Sequence, residues 1–216
     1  MKKTECNLYI ANIKDCDPEA LYEDFKECLE PARVERIENC KNPKSRGKII
    51  LAGVILYKAL SDNGFSVKDI VYSETGKPFL KGNSKLHFNM SHSGDYIVVS
   101  VSGQNVGVDI QKNAPYNEKV IQKITSEAER ERLSDLFVKH FNYVWAVKES
   151  YSKLTGSGIV MDFSRVSFEE DGDRLKIYKD NSLSAYGVRT EVDDNYELIT
   201  CCHEDFKVSS IINVCL

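Results

Sequence analysis

Two acidic residues and an amide in separate segments have the chemistry of a site for a divalent cation. Asp109 and Gln111 lie two residues apart in VGVDIQ, and Glu149 lies in YVWAVKESYSK. Residues two apart in a strand point to the same face, so Asp109 and Gln111 would share a face with Gly107. Mg²⁺ prefers hard oxygen ligands, typically one or two carboxylates together with phosphate oxygens. The pattern therefore allows a magnesium site beside a phosphorylated ligand.

A helix is expected to carry the second carboxylate. Trp145, Glu149 and Lys153 recur every four residues, which places them on one stripe of a helix. The same spacing has a plainer interpretation, in which Glu149 pairs with Lys153 on a solvated face and Asp109 only ends a strand. The spacing alone leaves both interpretations open.

Candidate anion contacts lie in the first half of the chain. His92 stands between two serines and before Gly94 in the segment SHSG, where an imidazole could donate to a phosphate, although a surface turn explains the segment equally well. Further basic residues could serve the same purpose, although scattered cations are usually only solvated surface. They are Arg33, Arg36, Arg46, Lys48 and Lys77.

Signatures of several common enzyme classes are absent from the sequence. It contains no GxxxxGK[ST] loop, GxGxxG turn, GxSxG elbow or HExxH helix. The commoner nucleotide-binding, hydrolase and zinc-protease sites are therefore excluded.

Strands and helices that would position these residues do not follow a strict βαβ order. In the first half we predict a strand over 4–11, a helix capped by Asp17, a short helix over 33–38, a longer apolar helix from Lys44, and a loop over 76–80. LHFNMS, YIVVSVS and VGVDIQ predict three consecutive antiparallel strands.

A second half is expected to begin at a proline-containing link over 113–117. Ser126 and Glu129 form a capping-box pattern at the start of a helix, and a further helix is predicted over 141–154. Five strands follow from Phe163 onward. We therefore predict an α+β fold with mainly antiparallel sheet, divided into residues 1–112 and 113–216.

Composition and charge limit the class of protein. With 42% hydrophobic and 29% charged residues among 216, the chain should form a packed globular protein, and its net charge of −4 provides no basic field for nucleic acid or anionic lipid. The seven cysteines include no CxxC pair, which indicates reduced thiols. The longest apolar run, over 49–57, is too short to cross a bilayer, and the first residues lack a signal-peptide core. We expect a cytoplasmic protein that does not bind membranes.

Four motifs occur in an order and spacing that closely resemble the 4′-phosphopantetheinyl transferases of the Sfp type. They are GKP, SHS, GVDIQ and WAVKESYSK, and with the following LTGSGI they span residues 76–159. The resemblance implies a monomer of two similar α+β halves related by a pseudo-twofold axis, with coenzyme A and Mg²⁺ in the cleft between them. It also implies transfer of the phosphopantetheine arm of coenzyme A to a serine of an apo acyl or peptidyl carrier protein, with release of adenosine 3′,5′-bisphosphate.

Residue roles carry over from the resemblance by position in the motifs. Asp109, Gln111 and Glu149 take the metal-side positions, and Glu149 is also the implied general base. Lys153 would steady phosphate charge, so that the implied catalytic residues are Asp109, Glu149 and Lys153. The implied coenzyme A contacts are Lys77, Pro78, Ser91, His92, Arg33, Arg36, Arg46, Lys48 and Lys148, with the choice between Arg46 and Lys48 left open.

One position departs from the family pattern, and one rival function remains. Gln111 stands where bacterial members often have Glu, and a neutral amide is a weaker Mg²⁺ ligand, so that a water could take its place. The rival is a non-catalytic protein that binds coenzyme A or docks to a carrier; an unrelated magnesium-dependent phosphohydrolase is a third interpretation. Two carboxylates facing one point would repel each other without a cation, which argues against the non-catalytic rival. The carrier served, in fatty acid, polyketide or nonribosomal peptide synthesis, is left open.

Overall fold

The computed structural model describes residues 4–82, 85–115, 117–132, 134–158 and 161–214. These residues form an α+β fold with mainly antiparallel sheets, which confirms the predicted class. Ile159, the end of the motif-bearing segment, and Cys215 lie outside the described residues. The six described cysteines form no disulfide bond with one another. No helix among the described residues is both long and apolar enough to cross a bilayer.

Most helices and strands follow the predicted order, but residues 78–80 of the expected loop form a strand that pairs with an unpredicted strand over 70–72, and a helix over 118–124 was also not predicted. In the first part of the chain they are β1 Thr4–Asn12, α1 Pro18–Phe25, α2 Pro31–Glu38, α3 Pro43–Ser61, β2 Ile70–Tyr72, β3 Pro78–Leu80, β4 His87–Ser93, β5 Tyr96–Ser102 and β6 Val106–Lys112. In the second part they are α4 Glu118–Ile124, α5 Glu127–Arg132, α6 Ser134–Thr155, β7 Val166–Asp171, β8 Arg174–Lys179, β9 Ser182–Thr190, β10 Tyr196–Cys202 and β11 Phe206–Asn213.

Side-chain caps fix where the first helices begin. Asp17 accepts hydrogen bonds from the first-turn amides of α1, and Asn42 accepts one from the amide of Ser45 in α3. A proline occupies an early position in both helices, where its missing N–H costs no hydrogen bond. Most of α3 is apolar and buried, and it packs against the first sheet with α1 and α2 over it.

Two larger sheets and one hairpin form the β structure. The first sheet has the order β11-β1-β5-β4, the second has the order β6-β10-β9-β8-β7, and β2 pairs with β3. Only the pairing of β1 with β11 is parallel among the described ladders. Helix α3 covers the first sheet, and α6 packs on β6 and β10 of the second.

The expectation of three consecutive antiparallel strands is wrong for the third. β4 and β5 pair as predicted, but β6 leaves them and pairs with β10. Residues 106–110 of β6 are all buried, on both faces of the strand, so this strand needs cover on each side. As the edge strand of the second sheet, it has α6 on one face and apolar side chains of the first sheet on the other. The division at residue 112 stays a prediction, since β6 and β11 each pair across it.

Candidate active site

Strand β4 meets the outer edge of β6 through side chains rather than through its backbone. Alternate residues of β4 accept hydrogen bonds from alternate backbone N–H groups of β6. The bonds join the amide of Val108 to Asn89 Oδ1 at 3.3 Å, that of Ile110 to Ser91 Oγ at 3.3 Å and that of Lys112 to Ser93 Oγ at 3.0 Å. The two-residue period of both strands makes this match possible, and it brings Ser91 beside Asp109.

Asp109 is the centre of a buried polar cluster. Its side chain is 1% exposed and its Oδ1 accepts hydrogen bonds from Ser91 Oγ at 2.7 Å and Lys153 Nζ at 2.6 Å. Lys153 Nζ also donates to Ser91 Oγ at 2.9 Å, and Gln111 Nε2 donates to Asp109 Oδ2 at 2.7 Å. The predicted common face of Asp109 and Gln111 is therefore confirmed. Lys153 pairs with Asp109, rather than with Glu149 as the plainer interpretation required.

Helix α6 reaches this cluster because β6 has a glycine where the two elements cross. A Cβ atom on Gly107 would overlap backbone atoms of Ser150 and Leu154 in α6. The missing side chain lets the helix lie directly on the strand. This close approach carries Lys153 to Asp109 and brings Glu149 within their electrostatic reach.

Glu149 is half-buried and keeps its carboxylate unbonded. In the part of the chain that the structure describes, its side chain makes no hydrogen bond or ion pair. Burial raises the pKa of Glu149 above its usual range, the charge of Asp109 raises it further, and Lys153 opposes the shift. A carboxylate with a raised pKa is better suited to accept a proton near neutral pH.

The donor set of this cluster fits Mg²⁺. Asp109, Glu149 and the amide oxygen of Gln111 are hard oxygen donors, which Mg²⁺ prefers. The described residues contain no group of three His, Cys, Asp or Glu side chains able to hold a metal ion. Two carboxylates alone would leave most of an octahedral shell to waters and to oxygens of a phosphorylated ligand, which is the usual situation for Mg²⁺.

A pocket of about 250 Å³ carries the candidate anion contacts. His92, the residue after Ser91 in β4, lines it together with Arg33, Arg36, Lys48 and Pro78. Apolar side chains from α3 and β4 form the rest of its wall, among them Ile49, Ala52, Leu56, Phe88 and Met90. The pocket thus gathers five of the predicted coenzyme A contacts next to the carboxylate cluster.

Another depression, of about 610 Å³, is larger but chemically unsuited to an anion. It is lined by Asp173, Glu191, Asp193 and Asp194, and its one arginine, Arg189, is ion-paired with Glu197. The smaller cationic pocket is therefore the better candidate for a phosphate-bearing ligand.

His92, which lines this pocket, has an imidazole whose pKa is lowered. Although the residue is exposed, partial desolvation of the imidazole lowers the pKa of His92, and the charges of Lys48 and Lys153 lower it further. An anion bound between these groups would oppose all three effects by favouring the imidazolium form.

Two of the predicted basic contacts have partners of their own. Arg46 donates to both carboxylate oxygens of Glu19, at 2.8 and 3.0 Å, and lies over the ring of Tyr22 outside the pocket. Between Arg46 and Lys48, the structure places only Lys48 in the pocket lining. Lys77 donates to the carbonyl of Leu154 at 2.8 Å, near the end of α6, and burial lowers the pKa of Lys77.

Lys148 lies outside the site and inside the core of the second sheet. Its side chain is 0% exposed, and its ammonium group contacts Glu129 at 2.6 Å and the carbonyls of Phe163 and Val166 at 3.0 and 2.5 Å. These three acceptors use the three N–H donors of the ammonium group. This placement does not fit the expected phosphate contact, because the Lys148 side chain extends from the face of α6 that is directed away from Asp109.

Sequence reasoning missed two polar residues of the cationic pocket, Glu30 and Tyr72. Glu30 bonds Arg33 Nε at 3.0 Å and accepts a hydrogen bond from the Tyr72 hydroxyl at 3.3 Å. The three-residue spacing of Glu30 and Arg33 is a signal that could have indicated their pairing. No comparable signal links Tyr72, which is 42 positions away in the chain.

Comparison with known proteins gives a consistent result. Residues 105–201 match the profile of the 4′-phosphopantetheinyl transferase superfamily. The 4′-phosphopantetheinyl transferase Sfp of Bacillus subtilis (strain 168) is 29% identical over 198 residues, covering 85% of this chain and 87% of that protein. Another B. subtilis 4′-phosphopantetheinyl transferase is 33% identical over 144 residues, 62% of each chain. The L-aminoadipate-semialdehyde dehydrogenase-phosphopantetheinyl transferase of Xenopus laevis is 28% identical over 184 residues, covering 72% of this chain and 60% of that protein.

Proposed function

This chain belongs to the 4′-phosphopantetheinyl transferase superfamily, as an enzyme of the Sfp type, and we propose that it transfers the phosphopantetheine arm of coenzyme A to a serine of an apo carrier protein. One observation carries the proposal. Consecutive residues of β4 join the two parts of the site, since Ser91 bonds Asp109 and Lys153 while His92 lines the cationic pocket. A ligand whose phosphates lie along this strand would reach both parts.

The cationic pocket suits the nucleotide end of coenzyme A. Arg33, Arg36, Lys48 and His92 offer donors for phosphate oxygens, and charge-assisted bonds of this kind are stronger than neutral ones. The apolar wall offers contact area for the adenine ring. The pyrophosphate would then extend past His92 toward Asp109.

Asp109 and Glu149 would hold Mg²⁺, with the oxygen of Gln111 or a water beside them. When bound, the ion would neutralise charge on the pyrophosphate and on the departing bisphosphate. In the ligand-free protein Lys153 supplies the positive charge next to Asp109. Its side chain is 24% exposed, so its remaining N–H can turn to a phosphate oxygen at the cleft.

Glu149 is the proposed general base. Its unbonded carboxylate would take the proton from the carrier serine hydroxyl as the serine oxygen bonds to the phosphorus that carries the pantetheine arm. The bond between that phosphorus and the bridging pyrophosphate oxygen breaks, and adenosine 3′,5′-bisphosphate leaves with the electron pair. Lys153 would steady the negative charge during the step.

The non-catalytic rival fits the site less well. Glu149 is half-buried and has no hydrogen-bond partner among the residues that the structure describes, and desolvating its charge costs folding free energy. A protein that only bound coenzyme A or docked to a carrier would gain nothing from this cost. We further propose that the enzyme acts as a monomer and that it is cytoplasmic.

Incubation with apo carriers tests the transfer. The protein, coenzyme A and Mg²⁺ are mixed with apo carriers from fatty acid, polyketide and nonribosomal peptide synthesis, and intact mass is measured. We expect at least one carrier to gain phosphopantetheine at its serine. Coenzyme A binding without a mass gain on any carrier would favour the non-catalytic rival.

Dephospho-coenzyme A, which lacks the 3′-phosphate, is expected to bind more weakly than coenzyme A. Arg33→Ala should remove most of this preference, because a charge-assisted contact contributes about 1.5 to 3 kcal/mol. Arg46→Ala is the matched control, since Arg46 is bonded to Glu19 outside the pocket. Titration calorimetry with both donors measures the effect. Equal binding of the two donors by the parent, or a larger loss from Arg46→Ala, would contradict the assignment of Arg33.

Coenzyme A binding is expected to depend on pH through His92. The pKa of His92 is lowered in the free protein, and a bound pyrophosphate would raise it again, so binding takes up a proton and strengthens as pH falls through the range in which His92 titrates. The 3′-phosphate also titrates, so the parent is compared with His92→Gln at each pH from 5.5 to about 8. The ratio of the coenzyme A affinity of the parent to that of His92→Gln should rise toward acid pH. A constant ratio would show that the imidazole does not face the bound anion.

A further inference from the structure

One carboxylate lies inside the cationic pocket. Among the described residues that line it, Glu30 is the only acidic one, and it shares the lining with Arg33, Arg36, Lys48 and His92. A negative charge in a pocket that binds an anion weakens the binding of that anion. Glu30 is therefore the residue of this pocket that most needs an explanation.

Several contacts hold Glu30 and Arg33 in place. Their ion pair measures 3.0 Å, and the two side chains are only 13% and 12% exposed. The second oxygen of Glu30 accepts the Tyr72 hydroxyl at 3.3 Å. Beneath Arg33, Gly53 of α3 leaves room for the arginine, because a Cβ there would meet Arg33 Cδ at 2.5 Å. The pair is thus a built part of the pocket and not a chance surface contact.

We propose that Glu30 is a specificity-determining residue, an internal counter-charge to Arg33 that limits how tightly the pocket holds a 3′-phosphorylated adenine nucleotide. This inference rests on the proposed function. The phosphate must share Arg33 with a carboxylate that is already bonded to it, so part of the attraction is cancelled. The Tyr72 hydroxyl gives Glu30 a neutral donor that it can keep when the guanidinium turns to the phosphate.

The same counter-charge would act on the product. Adenosine 3′,5′-bisphosphate retains the 3′-phosphate, and a pocket whose Arg33, Arg36 and Lys48 had no counter-charge would hold it after the transfer. By weakening the binding of coenzyme A and of the bisphosphate alike, Glu30 would favour release of the bisphosphate. Dephospho-coenzyme A lacks the 3′-phosphate that would bind in this part of the pocket, so its affinity should not depend on the charge of Glu30.

Glu30→Gln separates charge from position. The amide oxygen of glutamine can still accept from Arg33, and its NH2 group, in place of the other oxygen, can donate to the Tyr72 hydroxyl oxygen, so both contacts can persist while the negative charge is lost. Glu23→Gln is the matched control, because Glu23 forms an ion pair of the same three-residue spacing with Lys26, at 2.9 Å, on the exposed face of α1. Both variants change the net charge of the protein equally.

Calorimetry of coenzyme A, dephospho-coenzyme A and adenosine 3′,5′-bisphosphate with the parent and both variants tests the proposal. We expect Glu30→Gln to bind the two 3′-phosphorylated ligands about tenfold more tightly, equivalent to about 1.4 kcal/mol, with dephospho-coenzyme A unchanged. Glu23→Gln should bind all three ligands as the parent does. In single-turnover and steady-state transfer, Glu30→Gln should show stronger inhibition by the bisphosphate by the same factor.

Three results would overturn the inference. They are weaker or unchanged coenzyme A binding by Glu30→Gln, an equal gain for dephospho-coenzyme A, and an equal effect of Glu23→Gln. Weaker binding would show that Glu30 only positions Arg33. Because these are binding measurements, they can fail while carrier modification succeeds, and they can succeed while carrier modification fails, so the two proposals are tested separately.

Discussion

Asp109→Asn and Glu149→Gln are each expected to lower the rate of phosphopantetheine transfer at least about a hundredfold, while the protein remains folded. Both changes replace a charged oxygen donor by a neutral amide of the same shape. Asn at 109 can still accept from Ser91 and from Lys153, so the buried cluster keeps hydrogen bonds. At 149 the change also removes the proposed base. Coenzyme A affinity should fall much less than turnover, because the cationic pocket is untouched.

The measurement is the initial rate of carrier modification at saturating Mg²⁺, with coenzyme A affinity and thermal unfolding determined on the same samples. Asp95→Asn is the matched control, since Asp95 forms a comparable ion pair with Lys14, at 2.9 Å, in the turn between β4 and β5. It should transfer as the parent does. Parent-like transfer by either Asp109→Asn or Glu149→Gln would show that the metal assignment is wrong.

Gly107→Ala is expected to impair both folding and transfer. The added methyl group would overlap backbone atoms of Ser150 and Leu154, and a helix backbone cannot move aside as a flexible side chain can. We expect a loss of about 1 to 3 kcal/mol in the free energy of unfolding, as for other overpacked cores. Helix α6 must also move away from β6, which separates Lys153 from Asp109. Transfer should therefore fall at temperatures where the variant is still fully folded.

Gly103→Ala is the control for this change. Gly103 lies just before β6, and its Cβ would have its nearest neighbour, the carbonyl oxygen of Lys85, at 3.8 Å, an ordinary contact. Denaturant unfolding and transfer rates are measured for both variants. Parent-like stability and transfer in Gly107→Ala would mean that α6 does not depend on this close approach.

Local periodicity predicted much of the site. The two-residue period of β6 placed Gly107, Asp109 and Gln111 on one face, and the structure turns Gly107 and Asp109 of that face to α6. The helical stripe predicted that Glu149 and Lys153 lie on one face of a helix. The cap at Asp17 predicted the beginning of α1, and the helix predicted from Lys44 begins one residue earlier, at Pro43. These features depend on neighbours a few residues apart, which a sequence pattern records directly.

Long-range partners were not predictable in the same way. Nothing in VGVDIQ distinguishes a third strand of the first sheet from the edge strand that pairs with β10, because the choice depends on which surfaces are left to cover. The motif likewise could not show that the ammonium of Lys148 points into the core toward Glu129, although Lys153 of the same helix points to the cleft. The Glu30 counter-charge was hidden because its second partner, Tyr72, comes from a distant hairpin.

The most direct test of the central claim is to quantify the modified carrier and adenosine 3′,5′-bisphosphate in one reaction with coenzyme A, Mg²⁺ and an apo carrier. We predict that the two products form in equal amounts and at the same rate, and that neither forms with Glu149→Gln. Release of the bisphosphate without carrier modification would instead indicate that water is the acceptor. Formation of neither product, with coenzyme A bound and with every apo carrier supplied, would contradict the proposed transfer.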